Sequence, residues 1–377
     1  MKKDKFVLVF DIGSSKLRVM LAGRGINDTF NIKAFKEVFY EGFYEGNFLK
    51  QDKLFAIFDQ IITELDIRSN KKVKKVYVGV PAEFSSVRSG EVSLNFGDRK
   101  KIKKADLDSL YYMASEKAKK ADVEVVSVNP INYLLDDGRF TLTPIGETAN
   151  SITANLSVVY ADKVFIDLFN SIVASLGFNS VEYISEPLAQ VMFVMPKEKR
   201  EDLSLLVDVG DLTTSIAFTK GEGLIGLTSF ARGGGFFTND LAEAFSLSMN
   251  EAERLKKEVV LSLKGGHNDF YELALDMGKV TKIPLNNANE VLTYRIEELA
   301  QVIAKCIQMY SKEFITYLPV YLTGAGLSKI KGGRDCLAKC LGRNITYGVP
   351  PLPGKDKPEM SSIYSLVNAA LNSEENN

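Results

Sequence analysis

Two segments of the chain share one pattern of apolar and polar positions. Residues 6–19 read FVLVFDIGSSKLRV, and residues 205–218 read LLVDVGDLTTSIAF. Each pattern predicts a strand, a tight turn with polar side chains, and a second strand. One copy would be weak evidence, because Asp and Gly are common at turns of every kind. Two copies in different halves predict two similar halves, each with a loop that binds phosphate.

The remaining apolar periodicity predicts a mixed α/β chain. Residues 53–65 place Leu54, Phe58 and Ile61 at helical spacing, which indicates an amphipathic helix. Similar patterns predict helices at residues 106–120, 165–176, 236–245, 251–260 (capped by Asn250), 296–310 and 361–371. Continuous or alternating apolar runs predict strands at residues 30–38, 76–81, 123–128, 152–158 and 181–184.

Residues from about 82 to 163 differ in pattern from the rest of the chain. They combine a weakly alternating strand at 87–94 with an amphipathic helix and two further strands. We therefore expect a small strand–helix–strands module inserted into the first half. Nothing in this module has the arrangement of a catalytic site.

A third glycine-containing turn follows a short apolar run near the end of the chain. Residues 320–322 predict a strand, and Gly324, Ala325 and Gly326 follow it. Glycines at such a turn let the backbone approach a flat ligand closely. Taken alone, the segment is explained equally well by an ordinary turn between a strand and a helix.

Composition narrows the possible functions. The 377 residues suit about two to four subdomains, and a net charge of −1 gives no general attraction for nucleic acid or anionic lipid. Three cysteines do not make a disulfide framework. A single histidine, His267, argues against a Ser-His-Asp triad or a multi-histidine metal site. No apolar run approaches the ~20 residues of a membrane span.

Two apparent nucleotide motifs do not fit their required context. Gly221, Gly223 and Gly226 match G-x-G-x-x-G, but they fall at an expected hairpin rather than between a strand and a helix. Residues 348–355 resemble a P-loop, but the spacing is one residue too long and Asp356 stands where Ser or Thr is needed.

The three glycine-containing segments resemble the phosphate-1, phosphate-2 and adenosine motifs of the actin and sugar-kinase ATPase superfamily. Within it, the chain is similar to the bacterial FtsA cell-division family over nearly its whole length. The most specific segments are residues 185–189 (SEPLA), 232–240 (RGGGFFTND) and 251–256 (EAERLK).

The resemblance implies an α/β, actin-like two-lobed ATPase fold with an FtsA-type inserted subdomain, an SHS2 module. Subdomain IA would contain residues 1–81, 164–187 and 355–377, and the inserted subdomain 1C would contain residues 82–163. Subdomain IIA would contain residues 188–220 and 297–354, and subdomain IIB residues 221–296.

The resemblance also implies a site for ATP and Mg²⁺ between the two lobes. Asp11 and Asp208 would hold Mg²⁺, mostly through water, and Glu186 and Asp208 would act in catalysis by positioning the metal or the attacking water. Glu186 could instead only cap its helix, and Glu253 with Lys256 could be an exposed ion pair. The implied ATP-binding residues are Ser14, Ser15, Lys16, Gly210, Asp211, Thr213, Thr214, Gly233, Gly234, Gly235, Glu253, Lys256, Gly324, Ala325 and Gly326.

The phosphate-2 segment departs from the family pattern at three positions. Asp211 and Leu212 replace glycines of many members, and Ser215 replaces an aspartate. A carboxylate ~4 Å from a phosphate charge costs about 4 kcal/mol at an effective dielectric constant of 20, so we expect ATP binding to depend strongly on Mg²⁺. Leu212 restricts the turn to ordinary backbone angles. We therefore expect ATP binding with weak or absent hydrolysis.

The implied function is that of a cytoskeletal adaptor on the cytoplasmic face of the cell membrane at the division site. ATP would close the lobes, the subunits would polymerise, and the filament would link the tubulin-like ring protein FtsZ to the membrane. The inserted subdomain would contact other divisome proteins. Family members typically end in a short membrane helix, whereas this sequence stops at the globular domain, so we expect an indirect membrane contact or a missing tail.

Two other functions stay open. A PilM-like adaptor in pilus assembly would share the fold and tolerate altered phosphate motifs. A sugar or small-molecule kinase of the same superfamily would need a catalytic aspartate between the lobes, for which Asp211 is conceivable.

Overall fold

A computed structural model of the chain describes residues 5–67, 73, 75–266, 268–276, 278–310 and 318–376. His267 lies outside the described residues. No helix among those described is long and apolar enough to cross a membrane.

The first sheet contains five strands in the order β11-β6-β1-β2-β3. β1 and β2 form the first predicted hairpin, in which Asp11 pairs with Arg18 across the two strands. One face packs against α1 and α3, and the other packs against α11. The elements are β1 (Phe6–Ile12), β2 (Lys16–Arg24), β3 (Phe30–Phe39), β6 (Lys75–Val80), β11 (Ser180–Ser185), α1 (Gln51–Glu64), α3 (Lys163–Ser175) and α11 (Ser361–Asn376), with a small hairpin of β4 (Phe43–Tyr44) and β5 (Asn47–Phe48).

The second sheet repeats this topology in the order β14-β13-β12-β17-β18. In both sheets three antiparallel strands are followed by two parallel ones. Two similar halves are therefore confirmed. The elements are β12 (Ser204–Val209), β13 (Thr214–Lys220), β14 (Gly223–Phe230), β17 (Val320–Thr323), β18 (Ile345–Tyr347), α4 (Glu186–Val194), α5 (Lys197–Arg200), α6 (Gly234–Phe245), α7 (Met249–Glu258), β15 (Phe270–Ala274), β16 (Val280–Pro284), α8 (Leu285–Tyr310), α9 (Ala325–Ser328) and α10 (Gly333–Leu341).

The inserted module forms a separate four-stranded sheet in the order β7-β10-β8-β9. Leu107 and Leu110 of its helix are buried in one core with Ile152 and Leu156 of the central strand. Its elements are β7 (Ser85–Lys101), α2 (Lys104–Ala118), β8 (Val123–Leu135), β9 (Phe140–Thr141) and β10 (Thr148–Asp162).

The β13–β14 turn packs against this module, which explains its glycines. The Glu222 N–H donates to the Pro130 carbonyl at 2.9 Å. Gly221 has φ +64°, and a Cβ there would lie 2.3 Å from the Ile131 carbonyl oxygen. Gly221 and Gly223 thus permit close packing of two backbones, which confirms that G-x-G-x-x-G is no dinucleotide motif here.

Every predicted helix differs from its observed bounds by two residues or more at one end, and the last helix, α11, ends at Asn376 rather than at residue 371. α7 begins at Met249 with Ser248 as its N-cap, so the prediction that Asn250 caps it is wrong. α8 begins at Leu285 rather than 296, because Ala288 and Leu292 continue its buried face. The subdomain bounds stay a prediction, and the one between residues 296 and 297 falls inside α8.

Candidate functional site

A cleft of about 670 Å³ lies between the two sheets. Both predicted hairpins reach it with their turns, and α4, α6, α7 and α9 contribute to its walls. It is lined by most of the residues predicted to bind ATP and Mg²⁺: Asp11, Ser14, Ser15, Lys16, Glu186, Asp208, Gly210, Asp211, Thr213, Gly235, Glu253, Lys256, Gly324, Ala325 and Gly326.

The two hairpin turns have the same backbone geometry. The Gly13 N–H donates to the Lys16 carbonyl at 2.9 Å, and the Gly210 N–H donates to the Thr213 carbonyl, also at 2.9 Å. This match supports the prediction that the turns are equivalent parts of the two halves.

Several N–H groups of these turns are free. Those of Ser14, Ser15, Asp211 and Thr213 have no acceptor among the described residues. Leu212 differs, because its N–H donates to Ser14 Oγ at 3.1 Å and so joins the two turns directly. Free backbone N–H groups that converge on a cleft fit an anion such as a phosphate.

Three carboxylates, Asp11, Glu186 and Asp208, line the same cleft. Buried Asp11 accepts hydrogen bonds from Arg18 at 3.0 Å and from Ser362 Oγ at 2.7 Å. The Gln190 amide donates to Glu186 and, at 2.8 Å, to Asp208 Oδ2. One guanidinium, one hydroxyl and one neutral amide therefore stabilise three acidic groups.

The electrostatics of this carboxylate cluster favour a cation. Desolvation inside the cleft, followed by the charges of Asp208 and Asp11, raises the pKa of Glu186 well above its ordinary value. Desolvation also raises the pKa of Asp208, against the hydrogen bond from Gln190. Carboxylate oxygens are the ligands that Mg²⁺ prefers, so this donor set fits the ion.

The arrangement fits a Mg²⁺ ion held largely through water and phosphate. Among the described residues, no three His, Cys, Asp or Glu side chains converge closely enough to hold a metal ion directly. Mg²⁺ usually keeps several waters and takes only one or two protein carboxylates. Asp11 and Asp208 are positioned for that kind of contact, since each is the last residue but one of the equivalent strands β1 and β12.

Lys256 is buried, unlike the exposed ion pair considered above. Its ammonium donates to Glu253 at 2.5 Å, to Thr238 Oγ1 at 2.7 Å and to the Gly234 carbonyl at 3.0 Å. These bonds use all three protons of the ammonium. Lys256 therefore orients Glu253 rather than offering a free donor to a ligand.

Glu253 keeps the ability to accept bonds from a ligand. Burial raises the pKa of Glu253, but Lys256, Thr238 and Lys257 together outweigh burial, so the pKa is lowered. Within the described part of the chain, its Oε1 makes one ion pair, with Lys257 at 3.3 Å. A carboxylate with a spare oxygen on the cleft wall suits the hydroxyl groups of a ribose.

Three predicted ATP-binding residues do not line the cleft: Thr214, Gly233 and Gly234. Thr214 is buried, and its hydroxyl donates to the Arg232 carbonyl. The Gly234 N–H donates to the Gly210 carbonyl, and the Gly235 N–H to the Asp211 carbonyl, each at 2.8 Å. A Cβ on Gly233 would lie 2.3 Å from the Asp211 carbonyl oxygen. These glycines allow α6 to pack on the second hairpin, and the bonded N–H groups of Gly234 and Gly235 are not available to a phosphate.

Lys16 lines the cleft with its charge already paired. Its ammonium lies 2.6 Å from Glu37 and 4.4 Å from the centre of the Phe39 ring. Glu37 also accepts a bond from Arg18 at 2.7 Å. Lys16 and Arg18 thus form one network with Glu37 on the same face of β2.

Three residues that line the cleft were not predicted from the sequence: Arg18, Gln190 and Ser362. Arg18 could have been found, because it lies two residues after Lys16 and so faces the same side of a strand. Gln190 could also have been found, one helical turn after Glu186. Ser362 gives no signal, since 351 residues separate it from its partner Asp11.

Two family models match the chain. The one described as "Cell division protein FtsA" matches residues 205–365, and the one described as "SHS2 domain inserted in FTSA" matches residues 84–160. Together they cover more than half of the chain. The second match coincides with the inserted module.

Curated relatives agree with this assignment. The cell division protein FtsA of Enterococcus hirae is 22% identical over 379 residues, which cover 99% of this chain and 84% of that protein. That of Bacillus subtilis (strain 168) is 22% identical over 384 residues, which cover 98% and 84%.

Solved structures share the fold. A PilM–PilN type IV pilus biogenesis complex aligns with a TM-score of 0.63 and 16% identity, covering 98% of this chain and 99% of that chain. MreB5 of Spiroplasma citri bound to ADP aligns with a TM-score of 0.56 and 10% identity, covering 99% of both chains. At such identities the likeness shows the fold alone, which is actin-like as predicted. The two family models, together with the curated relatives that match nearly the whole chain, show that the chain belongs to the FtsA family of cell-division proteins.

Proposed function

We propose that the cleft binds Mg²⁺–ATP. The observation that carries this proposal is the convergence of two equivalent hairpin turns, with their free N–H groups, on one cluster of carboxylates. The turns would hold the phosphates from both lobes. MreB5, which shares the fold, was solved with bound ADP.

Each group of residues has a distinct role in this proposal. The N–H groups of Ser14, Ser15, Asp211 and Thr213 donate to phosphate oxygens. Asp11 and Asp208 orient the waters around the metal, and bound Mg²⁺ supplies positive charge that offsets the phosphates. Positioning and charge stabilisation are most of what phosphoryl chemistry requires of a protein.

Hydrolysis is proposed to be slow. Glu186 would orient the attacking water in this proposal, but the Gln190 amide already occupies one of its oxygens. Leu212 adds a side chain to the second turn, and its backbone N–H is bonded to Ser14 instead of being free. ATP can bind with these two contacts in place. Hydrolysis would require both the Glu186 side chain and the Leu212 N–H to leave their present partners.

At the level of the cell, we propose that ATP-bound subunits polymerise and tether the FtsZ ring to the cytoplasmic membrane. The inserted module would contact other divisome proteins. The protein would act at the cytoplasmic face of the division site, with membrane contact through a partner or through a segment outside this sequence.

Sedimentation with purified FtsZ tests this proposal. We expect the wild-type protein to pellet with Mg²⁺–ATP, to remain in the supernatant without nucleotide, and to bring FtsZ into the pellet. Asp208→Ala should abolish the nucleotide-dependent fraction. Absence of both ATP-dependent assembly and FtsZ binding would contradict the proposal.

The similarity to the PilM–PilN complex favours a second candidate, an adaptor in pilus assembly. This candidate requires binding of a short segment from a pilus protein. Fluorescence anisotropy with labelled segments of FtsZ and of a PilN-type protein separates the two, because each candidate function predicts binding of only one segment.

A further inference from the structure

Two oppositely charged side chains in the cleft, Lys329 and Glu359, have no partner among the described residues. Both line the cleft and both are half-buried. Within the part of the chain that the structure describes, neither makes a hydrogen bond or an ion pair. Half-buried charges without partners are unfavourable, because they lose hydration without gaining an interaction in return.

The other cations of the cleft wall do have partners. Lys16 pairs with Glu37 at 2.6 Å, and Arg18 with Asp11 at 3.0 Å. Lys256 and Lys257 both pair with Glu253. Lys329 is therefore the cation of the described cleft whose donors remain available to a ligand.

The backbone places Lys329 and Glu359 beside the third glycine turn. Lys329 directly follows α9, which begins after Gly324. The 3-10 turn Pro358–Met360 is anchored next to it, because the Pro358 carbonyl accepts bonds from Thr323 Oγ1 at 3.1 Å and from the Gly324 N–H at 3.4 Å. The two charges thus flank the segment where a flat ligand can approach the backbone.

The two side chains also act on each other electrostatically. Burial, followed by Lys16, lowers the pKa of Lys329, and Glu359 is the carboxylate that opposes this shift most. They are nevertheless more than 4.0 Å apart, since they form no salt bridge among the described residues. The gap between them can admit a ligand edge.

We propose that Lys329 and Glu359 together recognise the adenine base of the nucleotide, an inference that rests on the proposed ATP binding. Lysine only donates hydrogen bonds and an ionised glutamate only accepts them. Adenine presents an acceptor ring nitrogen beside its donor 6-amino group, whereas guanine presents two acceptors, N7 and O6, at the corresponding edge. Glu359 accepts from the 6-amino group and Lys329 donates to the neighbouring ring nitrogen, which selects ATP over GTP.

Calorimetry with ATP and with purine riboside triphosphate, which lacks the 6-amino group, tests the proposal. A hydrogen bond to a charged group is worth about tenfold or more in affinity. We expect the wild-type protein to prefer ATP about tenfold over the purine analogue, and Glu359→Ala to remove that preference. Lys329→Met should weaken ATP binding by about tenfold.

Glu258 and Lys331 supply matched controls, because they form an exposed pair that does not line the cleft, 3.9 Å apart. Glu258→Ala and Lys331→Met should keep wild-type affinities for both ligands. The inference is overturned if Glu359→Ala retains the preference for ATP, or if Lys329→Met binds ATP as Lys331→Met does. If the wild-type protein binds neither triphosphate, the proposed ATP binding itself is overturned.

Discussion

The burial of Glu186 and the charges around it determine the pKa of its carboxyl group. Desolvation in the cleft, then Asp208 and Asp11, raises the pKa of this carboxyl above its ordinary value of 4.5. The folded protein therefore holds the Glu186 proton more tightly than the unfolded chain does. The resulting stability is present below about pH 4.5 and is lost as the pH rises toward the folded-state pKa.

Glu186→Gln tests this pKa shift. The variant cannot ionise at this position, so we expect it to be more stable than the wild-type protein at pH 7, with the difference shrinking toward pH 4.5. Urea unfolding curves between pH 4 and pH 8 measure this. Glu91→Gln, on an exposed face of β7, provides the control. A stability difference between Glu186→Gln and the wild-type protein that is independent of pH, or that grows as the pH falls, would contradict a raised pKa for Glu186.

Single residues were predictable where a motif places them at the end of a strand. Asp11 and Asp208 line the cleft because each follows an apolar run and precedes a glycine turn. The role of Lys256 was not predictable, because its partners Thr238 and Gly234 lie 18 and 22 residues earlier. Only the packing of α6 against α7 brings these groups together.

The start of α7 shows why the N-cap was predicted at the wrong residue. Both Ser248 and Asn250 are residue types that cap helices. The Ser248 hydroxyl accepts from the Glu251 N–H, and Glu251 accepts in return from the Ser248 N–H. This reciprocal arrangement, the capping box, was readable from the Ser-x-x-Glu spacing and places the cap two residues before Asn250.

Ser248→Ala tests the capping box. Loss of an N-cap costs about 1 kcal/mol in the free energy of unfolding, and we expect that loss in urea unfolding. Asn250→Ala is the matched control and should leave the unfolding free energy close to the wild-type value. A larger loss of unfolding free energy in Asn250→Ala than in Ser248→Ala would show that Asn250 caps the helix.

Three elements cross closely beneath the second hairpin, at Gly210, Gly234 and Gly326. A Cβ on Gly326 would lie 2.3 Å from the Gly210 carbonyl oxygen and 2.8 Å from the Gly234 nitrogen. Both are backbone atoms, so relief of the clash requires movement of α6 or of the hairpin. This crossing holds the second phosphate turn against the helices behind it.

Gly326→Ala should destabilise the protein and weaken nucleotide binding together. Overpacking of this kind costs about 1–3 kcal/mol, which urea unfolding measures, while calorimetry follows the affinity. Gly90→Ala in β7 is the control, because no described atom lies within 4 Å of the added Cβ. Equal unfolding free energies and equal nucleotide affinities in Gly326→Ala and Gly90→Ala would mean that the crossing is not tightly packed.

At the scale of the whole molecule, the two sheets repeat one topology and face each other across the cleft. This symmetry was predictable, because the Asp-x-Gly hairpin occurs once in each half of the sequence. The contact between the β13–β14 turn and the inserted module was not predictable from the sequence. It depends on Gly221 fitting against Ile131, and a sequence pattern within either segment carries no information about the other.

Both halves contribute a carboxylate, a glycine turn and free N–H groups to the same cleft, and we infer from this that one nucleotide is held by both lobes. Calorimetry with ATP, with and without Mg²⁺, on the wild-type protein and on Asp208→Ala tests this inference. We expect tight binding that requires Mg²⁺ and is lost in the variant. Absence of ATP binding by the wild-type protein, or equal binding by Asp208→Ala, would contradict it.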